Sequence, residues 1–204
     1  MGTDQLTWFN QLPARAAQQT LLDCCSAPGW AAQMTAGRPY SAAEDVIERS
    51  SAIVAALSAA ELAEALAGHP RIGERPDSPR DSASQKTGNQ DGASQDGASQ
   101  DGASQDGASQ QGAAAAVNWS RQEQSGVEAD DTATTRALAA GNLEYEQRFG
   151  HIYLVCASGR TGQELLALLH GRLGNKPEDE WQVVRTELQK INALRLRQLL
   201  AGAP

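Results

Sequence analysis

The feature that most limits how this chain can fold is a low-complexity tract at residues 77–116. It contains four consecutive copies of Q-D-G-A-S, from Gln90 to Ser109, and almost no large apolar residues. Such a composition buries too little apolar surface to offset the entropy of ordering the chain, so we predict a flexible, disordered insertion. A tolerated surface loop is the simpler interpretation, because loop-closure entropy grows slowly with length, and a linker with its own partner is the alternative.

The rest of the chain, about 165 residues, is long enough for one hydrophobic core. We therefore predict one helical domain, formed by residues 1–76 and 117–204 and interrupted by the insertion. Apolar residues recur at helical spacing in both flanks, which predicts an all-α fold. The exception is the short apolar run H-I-Y-L-V-C-A, from His151 to Ala157, which is too brief for a helix and indicates a buried, extended segment.

Local signals predict where several helices begin and end. Phe9 and Leu12 open the fold, and Pro177 begins the last helix, near Glu178 to Leu200. A Ser or Thr followed three residues later by Glu predicts capping boxes at three helix starts: Ser41 with Glu44, Ser58 with Glu61, and Thr161 with Glu164. The helix after Thr161 has a broad apolar face, which consists of Leu165, Leu166, Leu168 and Leu169.

The charge and the cysteines exclude several classes of protein. The formal net charge is −8 and the basic residues are scattered, which argues against a nucleic-acid partner. No apolar run approaches membrane-spanning length, so no membrane association is expected. Cys24, Cys25 and Cys156 have no C-x-x-C spacing and are odd in number, which indicates reduced thiols, a cytoplasmic location and no structural zinc site.

One candidate for chemistry resembles the loop of cysteine phosphatases. The segment V-C-A-S-G-R-T-G places Cys156 and Arg160 close in sequence, but three residues separate them where the phosphatase loop has five. The ring of backbone N–H groups would be two amides short. An extended segment that ends at Ser-Gly and is followed by a helix explains the sequence better. We therefore reject a phosphatase.

A second candidate is a histidine at a helix end. His69 stands against Pro70, which disfavours the α region for the residue before it and places the imidazole on rigid backbone. With Glu123 as a carboxylate partner, His69 would form an acid–base pair that favours the charged ring. The alternatives are a helix-stop His69 and a Glu123 that caps a helix with Ser120; His151 and His170 are interpreted as structural or surface residues.

The last helix contains an anomaly at Arg195. Val184, Leu188, Ile191 and Arg195 fall on one stripe at helical spacing. A guanidinium at the end of an apolar stripe either reaches back to water or is directed at a buried anion. The sequence leaves both alternatives open.

Together these segments resemble one enzyme family. In chain order the matching stretches are F-N-Q-L, D-C-C-S-A-P-G-W, M-T-A-G-R-P-Y, G-H-P-R-I-G, S-R-Q-E-Q, N-L-E-Y-E-Q-R-F-G-H-I-Y-L-V-C-A, R-L-G-N and L-Q-K-I-N-A-L-R-L. This order is similar to that of the 2-oxo-4-hydroxy-4-carboxy-5-ureidoimidazoline (OHCU) decarboxylases of uric acid breakdown. The resemblance covers both flanks of the insertion. It implies an all-α, cofactor-free homodimer that forms (S)-allantoin from OHCU.

The resemblance also implies which residues act. His69, Glu123 and Arg195 match the family's catalytic histidine, glutamate and arginine. Substrate contacts are implied for Pro70, Ser120, Arg121, Gln122 and Gln124, and for the backbone of Tyr153, Leu154, Val155, Cys156 and Ala157. The chain departs from the family at His151 and Ile152, where the family usually reads F-P, so the path of the following segment is less well predicted.

The chemistry predicts a mechanism that needs no metal or other cofactor, because the substrate's own carbonyl-imine system accepts the electrons left by carbon dioxide. His69, held by Glu123, would move a proton to one face, while Arg195 and backbone amides hold the anionic groups. The competing hypothesis is a non-enzymatic helical interaction module. That hypothesis predicts no activity in the urate pathway and tolerance of changes at His69 and Glu123.

Overall fold

A computed structural model describes residues 3–73 and 132–202. Within these two ranges the chain forms α-helices and no β-strand, as the predicted fold class requires. The helices are α1 Thr3–Gln11, α2 Ala14–Cys24, α3 Pro28–Ala36, α4 Ala43–Ala56, α5 Ala59–Ala67, α6 Thr132–Phe149, α7 Gly162–Leu173 and α8 Pro177–Ala201. The predicted insertion 77–116 lies outside the described residues, so the proposed division of the chain into one domain and an insertion stays a prediction.

Two of the three predicted capping boxes are confirmed. At the start of α5 the Ser58 hydroxyl accepts from the Glu61 N–H, and the Glu61 carboxylate accepts from the Ser58 N–H at 2.8 Å. Thr161 and Glu164 make the same reciprocal pair at the start of α7. In each case one hydroxyl and one carboxylate accept hydrogen bonds from backbone N–H groups that have no partner inside the helix.

The third predicted box, Ser41 with Glu44, is wrong. The N-cap of α4 is Ala42, and the carboxylate that reaches back belongs to Asp45, which accepts from the Ser41 N–H at 3.2 Å and the Ala42 N–H at 3.0 Å. The helix therefore begins one residue later than the pattern indicated. Asp45 then stands at the third helical position, from which its short side chain reaches both amides.

The core is built around the long helix α8. This helix packs against α4, α2 and α1, while α6 and α7 pack against each other as a pair. The helix α1 was not predicted, although its Phe9 is fully buried. On α7 the predicted apolar face is narrower than expected: Leu165 and Leu169 are buried against α6, but Leu168 is 39% exposed.

The segment Tyr153–Ala157 forms the boundary between two hydrophobic clusters. Leu154 and Cys156 pack in the cluster around α2, α4 and α8, whereas Tyr153, Val155 and Ala157 pack in the cluster of α6 and α7. Side chains that alternate between two sides are the property of an extended chain. The predicted buried, extended segment is therefore confirmed, although it makes no sheet.

Within the described ranges no individual helix has the length and apolar composition to cross a membrane. The pair Ala43–Ala56 and Ala59–Ala67 satisfies those two criteria only when joined, and its helices are bent by 120°.

Candidate active site

Local chain geometry brings His69 to the end of α5. Gly68 is the C-cap of that helix, and the His69 N–H donates to the Leu66 carbonyl at 3.0 Å, so the chain turns there before Pro70. Gly68 packs directly on the α2–α3 connection: a Cβ at this position would lie 1.9 Å from Ser26 Oγ. The absence of a side chain at Gly68 thus lets His69 approach the C-terminal end of α2.

Arg195, on α8, contacts His69. Its stripe on α8 is buried as predicted, and Arg195 itself is only 2% exposed, so the guanidinium does not reach back to water. Arg195 Nη1 donates to the Cys24 carbonyl at 2.9 Å and lies 3.4 Å from His69 Nε2. The C-terminal end of α2 therefore positions the arginine beside the imidazole, and the predicted catalytic pair His69 and Arg195 is brought together.

The hydrogen bonds of His69 define its tautomer. His69 Nδ1 lies 2.8 Å from the Ala65 carbonyl, which can only accept, so Nδ1 carries the hydrogen and Nε2 presents its lone pair towards Arg195. Burial lowers the pKa of His69, the positive charge of Arg195 lowers it further, and the bond to Ala65 raises it, with a result of about 3. The ring is therefore a neutral base whose Nε2 lone pair is directed at Arg195.

The extended segment is tied to α7 and α8 by two buried charges. Arg172 Nη1 donates to the Leu154 carbonyl at 2.6 Å, and Glu187 Oε2 accepts from the Cys156 N–H at 2.9 Å. Arg172 and Glu187 are each 7% exposed. An irregular segment inside a helical core must find partners for its backbone groups, and here charged side chains supply them.

Arg172 belongs to a second polar cluster, which lies between α6, α7 and α8. Its Nε donates to Glu180 Oε1 at 2.7 Å and its Nη2 to the Tyr145 hydroxyl at 3.1 Å. The Tyr145 hydroxyl donates in turn to Glu180, and the guanidinium lies 4.8 Å from the centre of the Tyr153 ring. Burial raises the pKa of Tyr153 to about 12 and that of Tyr145 further still, so both rings stay neutral donors.

The structure does not describe one group of predicted site residues. These are Ser120, Arg121, Gln122, Glu123 and Gln124, and their roles stay predictions. Sequence reasoning missed the carbonyls of Cys24 and Ala65, because backbone groups leave no sequence signal. It also missed Arg172 and Glu187, which look like ordinary surface charges in a helical pattern and are recognised only by their burial.

The other histidines and a surface cleft are separate from this pair. As predicted, His170 is exposed and His151 is structural: its ring is tilted against that of Trp181, with the ring centres 4.2 Å apart. A cleft of about 290 Å³ is lined by Thr7, Trp8, Gln11, Leu12 and Pro13, none of which is a candidate site residue. No group of three or more His, Cys, Asp or Glu side chains within the described ranges could hold a metal ion.

The fold and the site define a helical protein with a partly buried, neutral imidazole beside a buried arginine. A sequence profile of the OHCU decarboxylase family matches residues 10–106 and 102–197 of this chain. Because the two matches together span most of its length, the chain belongs to the OHCU decarboxylase family.

Two curated relatives are similar in sequence. The uric acid degradation bifunctional protein of Arabidopsis thaliana is 26% identical over 179 residues, which are 87% of this chain and 45% of the relative. The 2-oxo-4-hydroxy-4-carboxy-5-ureidoimidazoline decarboxylase of Amia calva is 34% identical over 79 residues, which are 39% of this chain and 45% of the relative. The chain thus spans less than half the length of these relatives.

Two solved structures share the fold. A crystal structure of OHCU decarboxylase in the presence of (S)-allantoin aligns with a TM-score of 0.64 and 22% identity, over 90% of this chain and 98% of the other. A crystal structure of (S)-allantoin synthase aligns with a TM-score of 0.58 and 15% identity, over 95% of this chain and 53% of the other. The helical fold is therefore that of known structures, independently of the sequence profile.

Proposed function

We propose that this protein catalyses the stereospecific, cofactor-free decarboxylation of OHCU to (S)-allantoin, a carboxy-lyase reaction of urate breakdown. The observation that carries the proposal is the contact between His69 and Arg195 in a member of the OHCU decarboxylase family. A reaction that binds a carboxylate and moves a proton needs a base and a fixed cation side by side, and His69 and Arg195 provide them.

Arg195 is the group that binds the substrate's carboxylate in this proposal. Arginine presents a planar fork of donors that suits a carboxylate, and α8 and the Cys24 carbonyl hold it in place. An anion bound there would offset the positive charge that now lowers the pKa of His69. Substrate binding itself therefore makes His69 Nε2 a better proton acceptor at the moment when it is needed.

The electron and proton balance then requires one proton carrier. The bond between the ring carbon and the carboxylate breaks, carbon dioxide leaves, and the electron pair enters the adjacent imine system of the substrate. The hydroxyl on the same carbon becomes a carbonyl as its proton passes to His69 Nε2, and the carbon bearing the ureido group gains that proton. The ring nitrogen that took up the electron pair is protonated from water, so the reaction consumes one proton overall. Delivery by one fixed imidazole reaches one face only, which explains a single enantiomer.

The role of Glu123 in this proposal is secondary. The ring of His69 is already oriented by the Ala65 carbonyl, so Glu123 is proposed to support the charged ring after it has accepted a proton. Ser120, Arg121, Gln122 and Gln124, together with Pro70, are proposed to contact the substrate.

The experiment that tests the function is a coupled assay. Urate is converted with urate oxidase and hydroxyisourate hydrolase, this protein is added, and allantoin is followed by circular dichroism. We expect rapid formation of one enantiomer, and a loss of about 10²–10⁴-fold in His69→Ala, the usual contribution of a general acid–base. The exposed His170 provides a matched control, and His170→Ala should be unaffected. Slow racemic allantoin, unchanged by the protein, would instead favour a helical interaction module.

We further propose a homodimer in the cytoplasm. The cytoplasmic location is supported by the cysteines of the sequence, Cys24, Cys25 and Cys156, which are odd in number and have no C-x-x-C spacing. Sedimentation equilibrium of the purified protein tests the dimer, and a molar mass equal to one chain would contradict it.

A further inference from the structure

The segment that carries His69 is flanked by glycines, so its own backbone does not fix its direction. Gly68 precedes His69, and Gly73 follows Ile72 with a φ of 78°, a left-handed conformation that favours glycine. Glycine has more conformational freedom to lose on folding than any other residue. The direction of the chain from His69 to Ile72 therefore depends on contacts with the rest of the protein.

The contacts on the N-terminal side of this segment come from α5. The His69 N–H donates to the Leu66 carbonyl at 3.0 Å, and His69 Nδ1 lies 2.8 Å from the Ala65 carbonyl. Both carbonyls belong to the last turn of a helix of nine residues. Helix ends fray, so this turn alone would hold the imidazole loosely.

The contacts on the C-terminal side come from α6. Arg71 Nε and Nη2 donate to the two carboxylate oxygens of Glu146 at 2.6 and 2.9 Å, as two parallel hydrogen bonds. About one turn earlier on α6, Asn142 Nδ2 donates to the Ile72 carbonyl at 2.9 Å, and the Ile72 side chain is buried in the cluster of α6 and α7. His69 is thus held between the helix that precedes it and a second helix that anchors the chain just after it.

The geometry of the pair formed by Arg71 and Glu146 indicates a role in orientation. The Arg71 side chain is 43% exposed and that of Glu146 is 22% exposed, and an ion pair so accessible to water contributes little to the free energy of unfolding. Two parallel hydrogen bonds nevertheless fix a guanidinium in one plane and at one position. Pro70, whose ring fixes its own φ, connects that position to His69 with little freedom between them.

We propose that Arg71 and Glu146 are positioning residues that hold the His69 imidazole where it transfers a proton, an inference that rests on the proposed decarboxylase function. Arg195 is fixed separately, by α8 and by the Cys24 carbonyl at 2.9 Å. A displacement of the segment would therefore move the imidazole relative to the guanidinium that binds the substrate's carboxylate. Misplacement of a reacting group by about 1 Å can lower a rate by about 10²-fold.

The positioning role is tested by the kinetics of Glu146→Ala in the coupled assay. Alanine preserves the helix, and kcat should fall about tenfold while KM stays within about threefold, because Arg195 still binds the carboxylate. The urea midpoint should change little, since the pair is half exposed. Glu144→Ala, at an exposed position on the same helix, is the matched control and should resemble the wild type.

A double-mutant cycle shows whether the two side chains act as a unit. Arg71→Ala removes the same pair of hydrogen bonds from the other side and should lower kcat by the same factor of about ten. The double variant Arg71→Ala, Glu146→Ala should lose no more than either single variant, because the interaction can be removed only once. Wild-type kcat in both single variants would overturn the inference, and so would a loss of about a hundredfold in the double variant.

A spectroscopic measurement separates the inference from the function it rests on. In the full chain labelled with 15N-histidine, the Nδ1–H signal of His69 is identified by its loss in His69→Gln. Glu146→Ala should shift this signal and speed its exchange with water, while the signal of the exposed His170 stays unchanged. An active wild type with an unchanged His69 signal and kcat in Glu146→Ala would overturn the positioning role alone. An inactive wild type would overturn the function, and a shifted signal would then still show that the pair holds the ring.

Discussion

The two buried arginines of this protein, Arg172 and Arg195, have different surroundings. Arg172 is paired with the buried carboxylate of Glu180 and with the Tyr145 hydroxyl, so its charge is balanced within the core. The contacts of Arg195 include a backbone carbonyl at 2.9 Å and the neutral imidazole of His69 at 3.4 Å. A guanidinium paired with a buried carboxylate contributes to the architecture, whereas a guanidinium in contact with the base of the proposed site is placed to bind the substrate's carboxylate beside that base.

The largest effect should come from breaking the balanced pair. Arg172→Met leaves the buried Glu180 carboxylate without its partner, and such a loss typically costs about 3–5 kcal/mol of the free energy of unfolding. Urea denaturation would measure it. In the double variant Arg172→Met, Glu180→Leu no charge is left unpaired, and we expect much of the stability to return. Equal loss in the single and the double variant would show that the pair does not matter.

The second effect should appear in catalysis. Arg195→Gln removes a charged donor at the proposed carboxylate site, and kcat/KM should fall about 10²–10³-fold, as for the loss of one donor to a developing charge. The free energy of unfolding should fall less than in Arg172→Met. Arg197→Gln, an exposed position two residues along the same helix, serves as the control. The comparison of the two arginines fails if Arg195→Gln unfolds the protein as readily as Arg172→Met.

A smaller effect should follow from moving His69 away from Arg195. In Gly68→Ala the new Cβ would meet Ser26 Oγ at 1.9 Å, and such overpacking costs about 1–3 kcal/mol and displaces the helix end that carries His69. Both the thermal midpoint and kcat should fall. The companion change Ser26→Gly removes the obstacle and should restore both. Gly171→Ala in α7, where a Cβ meets nothing within 4 Å, should be neutral or stabilising.

The smallest effect concerns pH. The pKa of His69 is about 3 in the folded protein, below its ordinary value of 6.5, so the unfolded chain binds the proton first. The stability that comes from the neutral ring is complete above pH 6.5 and is lost as the pH falls towards 3. Between pH 6 and 5 the wild type should lose about 1 kcal/mol more than His69→Gln in parallel urea titrations. Equal losses would show that His69 is protonated as easily in the fold as in water.

Much of the helical framework could be predicted from local chemistry. Ser58 with Glu61 and Thr161 with Glu164 satisfy amide groups within one helical turn, so the sequence contains the whole interaction. The same holds for Pro177, the first residue of α8. The Ser41 box failed by one position because Asp45 competes with Glu44 for the same amides, and only the start of the helix decides between them.

The site was predictable only in part, because its contacts join distant segments. Helical periodicity placed Arg195 on a buried stripe, but not beside His69, from which 126 positions separate it. The charges that hold the extended segment depend on the packing of α7 and α8 around it, which no local pattern encodes. Because this chain lacks the family's F-P at His151 and Ile152, the sequence does not predict the path of the following segment. In the structure Arg172 and Glu187 fix that path through hydrogen bonds to the backbone of the segment.

The contacts of Arg71 and Ile72 with α6 have a consequence for how the length of the repeat tract can evolve. Arg71 makes two parallel hydrogen bonds to Glu146, at 2.6 and 2.9 Å, and Asn142 donates to the Ile72 carbonyl at 2.9 Å. The last described residues before the repeats are thus fastened to the first helix described after them. Doubling the intervening chain would add only about 0.6 kcal/mol of closure cost. Copies of Q-D-G-A-S can therefore be gained or lost as a tandem array with little effect on the stability of the helical core.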